Sequence, residues 1–143
     1  MVDAPSEKIW IGLMRLAKAQ TDRVETALKA QGLPPLAWYD VLLEVERAGD
    51  AGLRPFHLTE RLLLPQYGTS RLVERLRAEG LIERVPCADD GRGFVIRLTP
   101  EGRAMRARMW PVYADTIDAL AQPLDAKDRA KLADLLDRLA GRS

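Results

Sequence analysis

Apolar positions recur at helical spacing through the first third of the chain, tighten into short clusters, alternate briefly, and then return to helical spacing. Ile9, Leu13, Leu16, Val24 and Leu28 predict a helix from Ser6, its expected cap, to about Ala30, ended by Gly32 and Pro34-Pro35. Trp38, Val41, Leu42 and Val45 predict a second helix, Leu36 to Ala48, stopping in the loop Gly49-Asp50-Ala51-Gly52. A short third helix, Pro55 to Leu64, rests on Leu58, Leu62 and Leu63. After a turn at Pro65-Gln66, a fourth runs from about Tyr67 to Glu79 with Leu72, Val73 and Leu76 inward, and Gly80 stops it.

The period then changes. Leu81 to Val85 and Phe94 to Leu98 read as strands, and in the second Phe94, Ile96 and Leu98 alternate with Val95 and Arg97. Pro100 suits the first turn of a fifth helix running to about Ala121, with Pro111 inside it as an expected kink. Asp125 caps a last helix to about Ala140, with the stripe Leu132, Leu135, Leu136 and Leu139. The predicted fold is mostly α with a small β-wing, a winged helix-turn-helix flanked by N- and C-terminal helices. Residues 1–143 are expected to form one domain, with the winged core at about 36–100 and flanking helices at about 6–30 and 101–140.

Composition narrows the chemistry. The net charge is only +1, but residues 51–110 carry 11 Lys+Arg against 7 Asp+Glu, and the rest 11 against 14. A basic centre with acidic ends suits a nucleic-acid reader. One Cys excludes an internal disulfide, and one His excludes an ordinary His/Cys zinc cluster, so no metal or cofactor is expected. There is no glycine-rich phosphate loop and no nucleophile motif, so an enzyme is not expected. The first residues, MVDAPSEK, lack a signal-peptide layout, and no apolar run reaches the ~20 residues of a membrane span. The expectation is a cytoplasmic protein without a membrane partner.

The fourth helix offers Gln66, Tyr67, Thr69, Ser70 and Arg71 near its start, where a recognition helix meets base edges, and Arg75 one turn on. Arg71, Arg75 and Arg77 read equally well as a solvated face with Glu74 and Glu79. Arg92, in the turn between the strands, suits the narrow minor groove; Asp90-Gly91 also reads as a simple hairpin turn.

Five motifs fall in order here: Leu58-Thr59-Glu60, Thr69-Ser70-Arg71-Leu72-Val73-Glu74-Arg75-Leu76, Gly80-Leu81-Ile82-Glu83-Arg84, Asp90-Gly91-Arg92 and Leu98-Thr99-Pro100-Glu101-Gly102. Together they resemble the multiple-antibiotic-resistance regulator (MarR) family of bacterial transcription factors. The chain departs from the family at Gly91, Pro65 and Phe56, where an arginine, a serine and a capping Ser or Thr are usual.

The resemblance implies a homodimeric repressor, joined by the first, fifth and sixth helices, on double-stranded DNA at a pseudo-palindromic operator. It gives Arg92 the minor-groove role and Asp90 that of holding the turn. It also implies release by a small, often aromatic or phenolic, anion in a cleft between the dimer helices and the winged segment. Trp10, Met14, Trp38, Tyr39 and His57 are the residues expected to line that cleft, although buried aromatics also serve as plain core. Two alternatives stay open: a winged-helix module that binds protein, and an oxidant sensor acting through Cys87 at the wing edge.

Overall fold

The computed structural model describes residues 1–63, 68–87 and 93–142. Helix α1 spans Ala4–Ala30, and its cap is Asp3 rather than Ser6: the Ser6 amide donates to Asp3 Oδ1 at 2.8 Å. The carboxylate also meets the positive end of the helix, an attraction that a serine hydroxyl lacks. Helix α2, Leu36–Ala48, starts immediately after Pro35, and its first amide, on Leu36, donates to the Glu25 carboxylate of α1. A 3-10 turn, Gly49–Ala51, leads to α3 at Pro55–Arg61. This helix ends before Leu62 and Leu63, and Leu63 is 73% exposed, not inward as its spacing suggested. Helix α4 is Thr69–Ala78.

Strands β1, Ile82–Pro86, and β2, Phe94–Leu98, pair antiparallel in the register Ile82↔Leu98 to Pro86↔Phe94. Leu53 adds a short third partner, with its N–H donating to Ile96 O at 2.9 Å and Ile96 N–H donating to Leu53 O at 2.8 Å. A single bridging residue leaves no period-2 pattern in the sequence. Its trace is Gly52, whose φ is +79° and where a Cβ would lie 2.7 Å from Val95 Cγ2.

The segment Leu98-Thr99-Pro100-Glu101-Gly102 locks the hairpin to helix α5, Pro100–Ala121. The Thr99 hydroxyl donates to Gly80 O at 2.7 Å and accepts from Gly102 N at 3.0 Å, so one side chain ends α4 and caps α5. A Cβ on Gly102 would collide with the Leu81 carbonyl. Helix α5 continues through Pro111, and α6 follows at Ala126–Leu139, where Asp125 Oδ1 accepts from Asp128 N at 2.8 Å.

Two cores meet on α2. One side, Val41, Leu42 and Val45, packs with Leu53, Leu58, Val73, Leu76, Leu81, Ile82 and Ile96 of the winged segment. The other side, Leu36 and Tyr39, packs with Val24, Leu28, Met109 and Val112 of α1 and α5. Glu46 adds ion pairs to Arg103 and Arg106, tying α2 to α5. The remaining apolar face stays open. Ile9, Trp10, Leu13, Met14 and Leu16 of α1, Trp110 of α5, and Leu132, Leu135, Leu136 and Leu139 of α6 are exposed, and no residue of α6 is buried.

Candidate nucleic-acid interface

Helix α4 opens at Gly68, in the left-handed region at φ +82°, whose carbonyl accepts from the Arg71 and Leu72 amides. No side chain caps this end. Among the described residues this leaves the Thr69 and Ser70 amides for an outside acceptor, at the positive end of the helix. Val73 and Leu76 turn inward. Ser70, Arg71 and Arg75 are exposed, and Thr69 is half-buried. The spacing of Arg71 and Arg75 puts both guanidinium groups on one face. Neither has an ion-pair partner among the described residues.

The other arginines nearby are engaged. Arg77 pairs with Glu74 at 2.9 Å, Arg84 of β1 reaches the same carboxylate at 3.4 Å, and Arg84 lies 3.9 Å over the Phe94 ring. The hydrogen bond from Arg77 and the nearby positive charges hold the Glu74 carboxyl below the usual carboxylate range. On α4, then, Glu74 and Arg77 are paired with each other, while Arg71 and Arg75 have no ion-pair partner among the described residues. A cleft of about 440 Å³ runs beside this face between α3, α4 and the hairpin, lined by Phe56, Thr59, Ser70, Glu74 and Phe94 among others.

Gln66, Tyr67, Asp90 and Arg92 lie outside the described residues. The hairpin ladder closes below the wing tip, where Cys87 N donates to Gly93 O at 2.9 Å, and the Cys87 side chain is half-buried there.

The five residues expected around an effector do not converge. Trp10, 65% exposed, and Met14 lie on the open face of α1. Trp38 packs against the winged core. Tyr39 is buried, its ring 5.1 Å from Tyr113 and 6.3 Å from Trp110. His57 is exposed on α3, edge-on to Phe56. The expectation chose aromatic residue types, whereas the fold spends them on packing and on the open face.

A cleft of about 640 Å³ does lie between α1 and α5, with Leu36 and Leu63 also in its lining. Gln20, Val24, Tyr113, Ile117 and Leu120 line it. Burial, with Asp40 and Tyr39 nearby, pushes the Tyr113 phenol up, so it stays protonated at neutral pH. Its members come from helices far apart in sequence, and only their helical spacing within α1 and α5 hinted that they share a wall.

Residues 31–93, from the end of α1 to the base of β2, match the sequence model of the MarR family. The winged segment is that of a MarR-family regulator. The likeness extends beyond the matched residues. The chain is 24% identical to the HTH-type transcriptional repressor YetL of Bacillus subtilis, over 97% of this chain and 85% of that one. Among solved structures, Sco3205 of Streptomyces coelicolor, a MarR family transcriptional regulator in complex with DNA, superposes with a TM-score of 0.85 at 23% identity. That match covers 98% of this chain and 88% of that one. A mutant MarR from E. coli complexed with operator DNA gives 0.79 at 25% identity, over 96% and 99%. These superpositions take in α1, α5 and α6 as well, so the whole helical frame of this chain follows the MarR-family arrangement. Among the described residues no helix is long and apolar enough to cross a membrane, and no three His, Cys, Asp or Glu gather as a metal site.

Proposed function

We propose that this MarR-family, DNA-binding regulator is a homodimeric repressor that binds a pseudo-palindromic operator and releases it when a small effector binds. The observation that carries the DNA reading is the pair of guanidinium groups, Arg71 and Arg75, on the outward face of α4, neither of them ion-paired among the described residues. In this reading Gln66 and Tyr67, which precede α4 in the sequence, and Thr69, Ser70 and Arg71 at its start meet base edges, and Arg75 meets phosphate. Asp90 steadies the wing, and Arg92 enters the minor groove.

The open apolar face of α1, α5 and α6 supports the dimer. Leucines at the spacing of α6 stay in water unless a second copy covers them. A two-fold pair of reading heads would sit about one DNA turn apart, roughly 34 Å. The winged core at about 36–100 and the flanking helices at about 6–30 and 101–140 act in this account as one unit. The cleft between α1 and α5 is the effector site.

The test is binding to a fluorescent duplex from the DNA adjoining the protein's own gene, against unrelated DNA, at several salt concentrations. A preference of at least ~10³-fold supports a specific regulator. Equal, weak and steeply salt-dependent binding to both means phosphate attraction alone and contradicts it. That outcome would move a protein-binding module ahead, with Phe56, 70% exposed beside the α4 cleft, as its anchor.

A further inference from the structure

Helix α2 meets α5 at two levels, and the two differ in kind. At one, Leu36 and Tyr39 pack with Met109 and Val112 in the apolar core shared with α1. At the other, in the last turn of α2, the Glu46 carboxylate takes two arginines of α5. Arg103 Nη1 lies 3.5 Å from Oε1, and Arg106 Nε faces Oε2. The Glu46 and Arg106 side chains are only 24% and 22% exposed, and Arg106 Nε itself is buried. Met105, between the two arginines in sequence, packs against both cores.

Apolar packing is non-directional and tolerates a small slide of one helix on another. A carboxylate held by guanidinium groups from two positions on α5 tolerates less, because charge-assisted hydrogen bonds have set directions. A buried guanidinium that loses its carboxylate must also leave its place or stay uncompensated. On its other side α2 carries the winged core through Val41, Leu42 and Val45. Whatever sets the angle of α2 on α5 therefore sets that of α4 and the hairpin. Glu46, Arg103 and Arg106 themselves belong to neither α4 nor the hairpin.

We infer that Glu46 is a positioning residue: through Arg103 and Arg106 it fixes the angle at which the winged segment sits on α5. The consequence for DNA rests on the dimer and operator proposed above. Two heads held at one angle accept one spacing of half-sites and reject its neighbours.

The test is a distance measurement by double electron–electron resonance on the full-length protein. Spin labels replace two exposed residues, Ser70 on α4 and Asp118 on α5, in a Cys87→Ser background. Labelled chains are diluted into excess unlabelled chains, so each distance lies within one chain. Glu46→Met, which keeps the length of the side chain and removes the carboxylate, should broaden the distance distribution at least about twofold as further orientations become populated. Pairing Glu46→Arg with Arg106→Glu restores opposite charges and should narrow it again. Arg106→Met, which leaves Glu46 to Arg103, repeats the test should Glu46→Met fail to fold.

An unchanged distribution in a folded variant overturns the inference, because a contact that only adds stability lowers the melting temperature and leaves the angle alone. Broadening that the charge swap does not reverse overturns it too. The operator reading is checked separately, on duplexes whose half-site spacing is altered by one base pair. Glu46→Met should shrink the spacing penalty of the unaltered protein at least about threefold. Broadened distances with an unaltered spacing penalty, or no specific duplex at all, contradict the two-headed operator reading and leave the role of Glu46 standing.

Discussion

The winged segment and the flanking helices use the same apolar spacing with opposite outcomes. In the winged segment Leu58, Leu76 and Ile96 are fully buried within one chain. In α6 a stripe of four leucines, equally regular, buries none of its members. Helical periodicity therefore marks a face that must be covered, and does not say by what. The core of the winged segment is complete in a single chain; the flanking helices leave an apolar face exposed.

Truncating the closed side should cost most. Leu58→Ala is expected to lower stability by about 2–5 kcal/mol, since the cavity lies where α2, α3 and α4 meet. Urea unfolding followed by circular dichroism measures it, and a loss below about 1 kcal/mol would mean that the winged core is not closed as described. The open side should respond differently. Leu132→Glu with Leu135→Glu should leave the fold intact and raise the dimer dissociation constant at least about a hundredfold, because two buried leucines are lost at the interface. Sedimentation velocity reads the change, and an unaltered dimer would place the interface elsewhere.

The reading face touches neither core, so its effect should be confined to DNA. Arg71→Ala should weaken operator binding by about 1–3 kcal/mol and shift thermal stability little. Arg77→Ala should weaken it less, because Arg77 is already paired with Glu74. Similar losses at both positions would erase the division between free and neutralised arginines on α4.

The smallest effect is the titration of Glu74. Its folded pKa is depressed, mainly by the Arg77 hydrogen bond. The contribution it makes is thus present above the ordinary carboxylate range and lost as the pH falls through the folded value. A carbon-detected NMR titration should place its midpoint below that of free glutamate, and Arg77→Ala should move it back up.

Much of this frame was legible in the sequence. The bounds of α2 and of β2, the start and end of α5 and the Asp125 cap stand where spacing and capping chemistry put them. These features are local: a period, a Pro in a first turn, an oxygen three residues from an amide. Features made by distant residues were not legible. Leu53 joins the sheet through a pair of bonds to Ile96, and Glu25 of α1 receives the first amide of α2. Leu63 continues the spacing of α3 but follows its end, so its side chain escapes the core that Leu58 enters. The cleft was hidden for the same reason. Gln20 and Tyr113 become neighbours of one cavity only when α1 packs on α5, and residue type alone pointed instead to tryptophans that face outward or into the core.

The most direct test of an account in which one region is complete and the other awaits a second copy is the stoichiometry on DNA. Analytical ultracentrifugation with a fluorescent duplex from the DNA beside the gene should show two chains per duplex, with free protein sedimenting as a dimer at micromolar concentration. A monomer that saturates the duplex at one chain would contradict it, because the leucine face of α6 would then be open by design.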